Sequence, residues 1–551
     1  MKKYGNWIRQ NLLLVFAIFI AIPVSAFIAY KNAKIDMIFS DAISDNNLLQ
    51  APLQLNDINI QAIHTHVLKW PIALLENTLG FDFRTHAIMS FILLLAMNAG
   101  LVAIFYYFSK KNTAVTGIAL LLLLSVELMT GINANEGTLT MITIRNIEIP
   151  IVIASVIYLM RQKWRFSWTT GLIILLLSVT FMSDYLLMYA SVIGVGIYYL
   201  YGTWHTKSIF SSLATSPMFY VGIIGSALIA RLLILLSNNF GIVSFYELSN
   251  TNDNLRYVDS FSGLFTVALN NIGKIFDVFG AGFFGQKIIA GPLYFVNIAL
   301  LIATIYLSFT FFKKVLKHGE RSTNERTILA LFCMYFFAML VFTVLIPREL
   351  AGRYFAFLPV LGLILLCREF SARRLQIRLG TVRQKAIAIT GAAMIIVFFV
   401  VTSIAADRLY YTPRYASLGA SLGDTSSLVN ILQKEEVGAL VTMDIYERGY
   451  WHNNVIKQQF DENSNHNLAI ASAFCNSFIL DRQFSRQSWV NASGKRVAVQ
   501  IRGCDLNKIV NKFGEPMATY DFSHDWKILI YKADIRERLD KRQFINNRFE
   551  K

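Results

Sequence analysis

The stretch NLLLVFAIFIAIPVSAFIAY, Asn11–Tyr30, contains no charged side chain and decides the fold class of this chain. A helix rises about 1.5 Å per residue, so this run is long enough to cross the ~30 Å hydrocarbon core of a bilayer. Lys2, Lys3 and Arg9 precede it. We interpret the run as a retained first span and not as a cleaved signal peptide, because it is longer than the usual apolar core of a signal sequence.

Further apolar runs of about 18–22 residues recur as far as residue 405, each long enough for a membrane-spanning helix. Hydrophobic residues make up 55% of the chain, and charged residues make up only 16%. From these runs we predict a polytopic α-helical membrane protein with about eleven transmembrane helices. Residues 1–405 form this transmembrane part, and residues 406–551 form a water-soluble α/β domain.

The net charge of +16 would suggest nucleic acid in a soluble protein. Here the basic residues stand at the ends of apolar runs, which favours membrane lipids as the partner and disfavours nucleic acid. They fall on alternate loops, represented by Lys110 and Lys111, Arg161 and Lys163, Lys207, Lys314 and Arg326, and Arg368 and Arg373. The positive-inside rule then predicts a cytoplasmic N-terminus and, after an odd number of spans, an external C-terminal domain.

Two external loops, residues 31–87 and 237–290, are long and largely polar. Within the second loop, Ser260–Phe276 has the amphipathic pattern of a helix that lies on the membrane surface. Long external loops of this kind usually carry function. The chain has no Walker A motif, no GxGxxG after a strand, no HExxH and no paired CxxC, which disfavours an ATP-driven pump, a dinucleotide enzyme and a zinc protease.

The C-terminal tail alternates helix and strand patterns, which is typical of a small α/β domain. The predicted strands are Gly438–Met443, Leu468–Phe474, Arg496–Ile501, Met517–Phe522 and Trp526–Tyr531. Cys475 and Cys504 both lie in this tail. If the tail is exported they are candidates for a disulfide, and two buried thiols are the alternative.

An acidic cluster follows the first span, with Asp36, Asp41, Asp45 and Asp57. A carboxylate at the outer membrane surface can act as a general base toward an acceptor hydroxyl. We predict Asp41 or Asp57 as the catalytic base and Asp36 and Asp45 as substrate-binding residues. The alternative for each is a polar residue of a solvated loop.

The same loop continues with His64, His66 and Lys69. His66 and Lys69 are helical neighbours at positions i and i+3, so they can form a cationic patch suited to a lipid phosphate. The alternative is interfacial anchoring together with Trp70, as in an aromatic belt.

Arg145 and Glu148 stand at the start of the predicted fourth span, and Asp184 lies between two later apolar runs. Ionisable groups at such boundaries are functional candidates, because burying them at the membrane is costly. We assign Glu148 and Asp184 to the catalytic group and Arg145 to substrate binding. A structural ion pair is the alternative for Arg145 and Glu148, and a helix N-cap is the alternative for Asp184.

Arg348, Arg353 and Tyr354 lie on a predicted outer loop. Two guanidinium groups beside the bilayer can clamp a phosphate or a pyrophosphate. Anchoring to lipid headgroups is the alternative. Arg231 lies inside a predicted span and therefore needs a partner or a water-filled cavity.

The chain resembles membrane glycosyltransferases of the GT-C fold, which use polyprenyl-phosphate sugars. The matching features are the many spans, the acidic loop over 36–57, the RNIE of Arg145–Glu148, the SDY around Asp184 and the pair Arg353 and Tyr354. In the tail, Glu447–Ile456 and Lys512–Tyr531 are similar to the C-terminal region of bacterial members of that class. The adjacent Asp-Glu or Asp-x-Asp pair of several of these families is missing.

The resemblance implies a bacterial inner-membrane glycosyltransferase with a periplasmic C-terminal domain. It would move a sugar from a polyprenyl-phosphate donor to a surface glycan or a lipid-linked acceptor, of which O-antigen is one. No cofactor is assigned, a divalent cation stays an open alternative, and no oligomeric state is assigned. The alternatives are an O-antigen polymerase or ligase, and a transporter or flippase of lipid-linked saccharide.

Overall fold

We describe the fold from a computed structural model of the chain. The described residues are 11–36, 59–61, 67–79, 83–133, 147–162, 166–208, 215–240, 244–246, 260–282, 292–319, 322–345, 355–371, 382–413, 426–444, 456, 460, 468–475, 478, 480–481, 496–522, 526–532 and 534–539. All structural statements below refer to these residues. Helices dominate as far as residue 413, and a single larger sheet follows.

The first part of the chain is a bundle of helices. These helices are α1 Leu12–Asp36, α2 Trp70–Leu79, α3 Phe83–Phe108, α4 Thr113–Asn133, α5 Glu148–Arg161, α6 Trp168–Ser183, α7 Tyr185–Thr206, α8 Pro217–Phe240, α9 Phe261–Val278, α10 Pro292–His318, α11 Thr323–Phe332, α12 Ala338–Leu345, α13 Phe357–Phe370 and α14 Val382–Ala406. A π-helical turn, Cys333–Phe337, joins α11 to α12. A second one, Asp407–Tyr411, extends α14, so the expected domain boundary at residue 405 falls inside a helical segment.

Within the described residues, eight helical segments are long and apolar enough to cross a membrane. They are α1, α3, α4, α7, α8, α10, the continuous α11–α12 segment and α14. The helix α6 is apolar but shorter, and α5 and α13 have 14 residues each. The helical class, with several helices that could span a membrane and a small C-terminal sheet, is therefore confirmed, whereas the count of about eleven spans stays a prediction.

One end of the bundle gathers basic side chains, and we call it the basic end. The Glu325 carboxylate accepts hydrogen bonds from Lys314 at 2.8 Å and from Arg368 at 2.5 Å. Tyr107 donates to the Asn324 side chain at 2.6 Å. These contacts bring the C-terminal ends of α3, α10 and α13 to the start of α11.

Two further contacts extend the basic end. The Arg161 guanidinium lies 4.5 Å from the centre of the Tyr107 ring. Arg326 donates to the Thr215 carbonyl at 3.3 Å, just before α8 begins. The helix ends that the alternating basic loops assign to one side of the membrane therefore lie together. Their cytoplasmic orientation stays a prediction.

The opposite end of the bundle joins the first span to the last. Lys31, near the end of α1, forms an ion pair with Asp407, and the Tyr411 hydroxyl donates to Asn32 at 3.3 Å. Strand β1, Asn59–Gln61, pairs in parallel with β2, Ser244–Tyr246. This pairing fixes the two long loops of the sequence to each other.

The π-helical turn between α11 and α12 packs tightly against α7. A Cβ on Gly194 would lie 2.3 Å from the Cα of Met334, so this approach of the two backbones requires glycine. The Tyr335 ring stacks on Phe357 with 3.7 Å between ring centres, and its hydroxyl lies 3.3 Å from the Ser191 hydroxyl. Single π-helical turns often occur at functional sites.

The C-terminal part of the chain forms a six-stranded sheet with the strand order β5-β4-β3-β6-β8-β7. Its strands are β3 Val437–Asp444, β4 Ala469–Phe474, β5 Leu480–Asp481, β6 Arg496–Arg502, β7 Ala518–Phe522 and β8 Trp526–Tyr531. The strands β4, β3 and β6 are parallel, and β5, β8 and β7 join the sheet by antiparallel pairing. Each predicted strand is present, and β5 was not predicted.

Helices cover both faces of this sheet. Helix α15, residues 426–434, supplies Leu428 and Leu432 to the apolar core on one face. Helix α16, Leu506–Phe513, supplies Ile509 and Phe513 to the core on the other face. Cys475 and Cys504 form a disulfide that joins the segments after β4 and β6. Cys333 and Cys367 are buried thiols in the helical bundle.

Candidate functional site

Four buried polar side chains lie at the end of the bundle opposite the basic end, and we call this group the site. Glu148 is the first residue of α5, Ser183 is the last of α6, and Asp184 connects α6 to α7. Lys69 ends the short 3-10 turn Val67–Lys69, which leads directly into α2. All four residues are buried, with exposed fractions of 6% or less.

Ser183 contacts both Glu148 and the segment that carries Lys69. Its hydroxyl donates to one Glu148 carboxylate oxygen, Oε1, at 3.2 Å, and the backbone N–H of Leu68 approaches the same hydroxyl at 3.5 Å. The second Glu148 oxygen, Oε2, is buried without a hydrogen-bond partner among the described residues. Leaving a buried acceptor unsatisfied costs free energy, and such groups in a native structure call for an explanation.

Charge acts on Glu148 from two sides. Lys69 attracts its carboxylate, whereas the neighbouring Asp184 repels it. Asp184 also has a structural contact, because its side chain accepts a hydrogen bond from the Leu187 backbone N–H at 3.2 Å and caps α7. The N-cap interpretation of Asp184 is thus confirmed. Glu148 has one oxygen that no described group hydrogen-bonds, so it has the better geometry for binding a ligand proton.

Further aromatic and hydroxyl groups lie along α7, beyond the site. Arg231, inside the span α8, lies 3.4 Å from the Tyr185 hydroxyl and 5.9 Å from the centre of its ring. The half-buried arginine thus has the aromatic partner that its position in a span requires. The Tyr335 hydroxyl lies 3.3 Å from the Ser191 hydroxyl, and the negative charge of Asp184 acts on it electrostatically.

Most of the other predicted site residues lie outside the described residues. They are Asp41, Asp45, Asp57, His64, His66, Arg145, Arg348, Arg353 and Tyr354. Asp36 is the last residue of α1, and only its backbone is described. The structure therefore brings together Lys69, Glu148 and Asp184 from the predicted set, and it adds Ser183.

Two buried polar clusters were not predicted from the sequence. In the first, the Glu76 carboxylate of α2 lies 3.0 Å from Nδ1 of His86 in α3, and both side chains are buried. No spacing signal predicts this pair, because it depends on the angle between two helices. Its partners join the outer-loop helix to the span that follows it.

The second missed cluster lies within the spans. Asn98 donates to Glu127 at 3.2 Å and approaches the Ser25 hydroxyl at 3.4 Å, which ties α1, α3 and α4 together. The other Glu127 oxygen has no hydrogen-bond partner among the described residues. A carboxyl inside an apolar run is a functional candidate by its position alone, so the sequence did contain this signal.

Comparison of the chain with protein-family models, with curated proteins and with solved structures gives no match. Across the described part of the chain, no group of three or more His, Cys, Asp or Glu side chains lies close enough together to hold a metal ion. What the site can do therefore follows from its own chemistry. It combines a buried cation, a buried carboxylate with a free lone pair and a hydroxyl that orients this carboxylate.

Proposed function

We propose that this chain is a membrane glycosyltransferase that moves a sugar from a polyprenyl-phosphate donor to a glycan or a lipid-linked acceptor. The observation that carries the proposal is Glu148, a buried carboxylate whose second oxygen is uncommitted among the described residues and whose charge the buried Lys69 attracts. A base for an attacking hydroxyl and a cation for a phosphate leaving group are the two groups that this reaction needs.

The proposed step is a substitution at the anomeric carbon, with one bond formed, one bond broken and one proton transferred. The acceptor hydroxyl gives its proton to the Glu148 carboxylate while its oxygen forms a bond to the anomeric carbon. The bond between that carbon and the phosphate oxygen breaks, and its electron pair leaves with the polyprenyl phosphate. Lys69 stabilises the negative charge on the departing phosphate. Ser183 keeps Glu148 oriented through its hydrogen bond.

The remaining assignments stay predictions. Asp41 and Asp57 compete with Glu148 for the role of base, so Asp41→Asn and Asp57→Asn should each be compared with Glu148→Gln. Arg348 and Arg353 are proposed to bind the donor phosphate. The other proposed substrate-binding residues are Asp36, Asp45, His64, His66, Arg145 and Tyr354. Asp184 would orient the sugar in addition to capping α7.

The proposed location is the bacterial inner membrane. The basic end would face the cytoplasm, and the site and the C-terminal domain would face the periplasm, as the positive-inside rule favours. The disulfide between Cys475 and Cys504 supports this orientation, because disulfides persist in oxidising compartments. On that side a lipid-linked sugar is the available donor.

A transporter of lipid-linked saccharide is the second candidate, and Glu127 is the observation that favours it. This carboxyl is fully buried in α4, and buried ionisable groups in spans often line transport pathways. An O-antigen polymerase or ligase would use the same class of lipid-linked sugars at the same site.

The purified full chain in detergent, supplied with undecaprenyl-phosphate hexoses and pentoses and with a membrane extract that contains acceptors, separates these candidates. A glycosyltransferase releases free undecaprenyl phosphate, which mass spectrometry detects. A transporter leaves the bond between sugar and phosphate intact. Absence of release with every donor would refute the proposed function, and chain-length analysis of the product would identify a polymerase.

A further inference from the structure

Helix α2 exposes apolar side chains and buries its charged one, which is the reverse of the pattern of a helix in contact with water. Its exposed face carries Leu74, Leu75 and Leu79, with exposed fractions of 44%, 46% and 61%. Its charged residue, Glu76, points into the protein instead and lies against His86. A helix on a water-facing surface normally directs its charges outward and its leucines inward.

Helix α9 also exposes an apolar face, in the second long loop. Phe265, Leu269 and Ile272, with exposed fractions of 58%, 50% and 46%, follow the i, i+4, i+7 spacing that defines one helix face. The polar Asn271 is buried together with Val267. Neither α2 nor α9 is among the segments apolar and long enough to cross the membrane.

The spans that contact these two helices also expose apolar side chains. Helix α2 precedes α3, whose Ile88 and Ile92 are exposed by 55% and 52%. Helix α9 contacts α12, on which Leu340 and Val341 are exposed. Apolar residues on the outside of a spanning helix face lipid. The lipid around these spans can therefore also cover the apolar faces of α2 and α9.

We propose that α2 and α9 lie in the interfacial layer of the membrane, with Leu74, Leu75 and Leu79 and with Phe265, Leu269 and Ile272 in contact with lipid acyl chains. Short amphipathic helices bind membranes in this way, with the apolar side at the boundary between headgroups and acyl chains. Immersion of α2 places Lys69, directly before it, at the level of the headgroups. The inference does not depend on the proposed glycosyl transfer.

The test measures the surroundings of single nitroxide labels on the full chain in liposomes. Leu75→Cys and Leu269→Cys carry the label on the two faces. Met517→Cys is the matched control, because Met517 is an apolar residue with a similar exposed fraction, 46%, in the C-terminal domain. The native cysteines leave the background low, since Cys333 and Cys367 are buried and the other two form the disulfide.

Oxygen, which concentrates in lipid, should strongly accelerate the spin relaxation of the labels at residues 75 and 269. A water-soluble nickel complex should accelerate it little. The label at residue 517 should show the reverse. Nickel accessibility at 75 and 269 equal to that at 517 would overturn the proposal, because the faces would then contact water. Protection of both labels from both reagents would also overturn it, because protein would then cover the faces.

Leu75→Trp and Leu269→Trp give a second readout that avoids the bulky label. Brominated lipids should quench the fluorescence of both variants more strongly than that of Met517→Trp, relative to the unsubstituted chain. Equal quenching of all three variants would contradict lipid contact. Because neither measurement uses activity, their failure is distinguishable from a failure of the proposed function.

Discussion

Glu148 and Glu325 occupy comparable positions at opposite ends of the helical bundle. Each lies in the first turn of a helix, and each is buried, with exposed fractions of 1% and 4%. Glu325 accepts charge-assisted hydrogen bonds from Lys314 and Arg368, and it completes a capping box with Ser322. Among the described residues, Glu148 accepts one hydroxyl bond, from Ser183, and keeps one oxygen uncommitted.

This difference separates a structural carboxylate from a candidate functional one. A buried carboxylate is tolerated when cations and N–H groups satisfy its lone pairs, as they do around Glu325. The uncommitted oxygen of Glu148 costs free energy in the resting protein, and this cost has a use only if a ligand offers a hydrogen bond. The two glutamates are therefore natural controls for each other.

The largest effect should come from Glu148→Gln, which removes the proposed base and keeps the shape of the side chain. We expect the rate of transfer to fall about 10²- to 10⁴-fold, the usual contribution of a general base. The amount of folded protein should stay unchanged. Release of undecaprenyl phosphate by purified variants measures the rate.

Glu325→Gln is the matched control for this prediction and should retain the activity of the folded protein. Equal losses of activity in the two variants would mean that Glu148 acts on folding and not on the reaction.

Lys69→Gln tests the cation of the site. A charge-assisted contact to phosphate contributes about 1.5–3 kcal/mol, so kcat/KM for the donor should fall about 10- to 100-fold. If Lys69 acts mainly on the departing phosphate, the loss appears in kcat, and if it also holds the phosphate of the bound donor, the KM rises as well. Lys314→Gln, at the basic end, should leave kcat/KM unchanged. Initial rates over a range of donor concentrations measure both constants, and an unchanged kcat/KM for Lys69→Gln would argue against any contact of Lys69 with the phosphate.

Glu325→Gln should lower stability, because it leaves Arg368 and Lys314 without their shared anion. Breaking a fully buried pair costs about 3–5 kcal/mol, and we expect roughly 2 kcal/mol here, because Lys314 is half exposed and solvent screens it. Thermal unfolding in detergent should show a lower midpoint than for the wild type. Glu148→Gln should show a smaller change, and the opposite order would reverse our distinction between the two glutamates.

Ser183→Ala should have the smallest effect of the series. It removes one hydrogen bond to Glu148, and such bonds contribute about 0.5–1.5 kcal/mol. We expect kcat/KM to fall by up to about tenfold, with little change in the thermal midpoint. Ser191→Ala, which removes a hydroxyl contact to Tyr335 deeper in the bundle, serves as the control. A larger fall in kcat/KM for Ser191→Ala than for Ser183→Ala would mean that the Ser183 hydroxyl is not the one that supports the reaction.

The sequence predicted the helical class and the grouping of helix ends, because both depend on local signals. A long apolar run predicts a membrane-spanning helix, and alternating basic loops predict which helix ends lie on the same side. Ser260–Phe276 was expected as an amphipathic helix, and the structure has α9 over Phe261–Val278. The capping box between Ser322 and Glu325 was also readable as a helix start.

The arrangement of the site was not readable in the same way. The sequence placed Lys69, Glu148 and Asp184 at the same outer boundary of the membrane, but it did not predict which side chains touch. The hydrogen bond from Ser183 to Glu148 links residues 35 positions apart, and it exists only because α5 and α6 pack side by side. Spacing rules describe one helix at a time, so contacts between helices escape them.

The most direct test of the account compares three purified full-length proteins, the wild type, Glu148→Gln and Glu325→Gln, for release of undecaprenyl phosphate from undecaprenyl-phosphate sugars in the presence of a membrane extract. The account predicts release by the wild type and by Glu325→Gln, and a loss of about 10²-fold or more for Glu148→Gln. Full activity of Glu148→Gln, or no release by any of the three proteins, would contradict it.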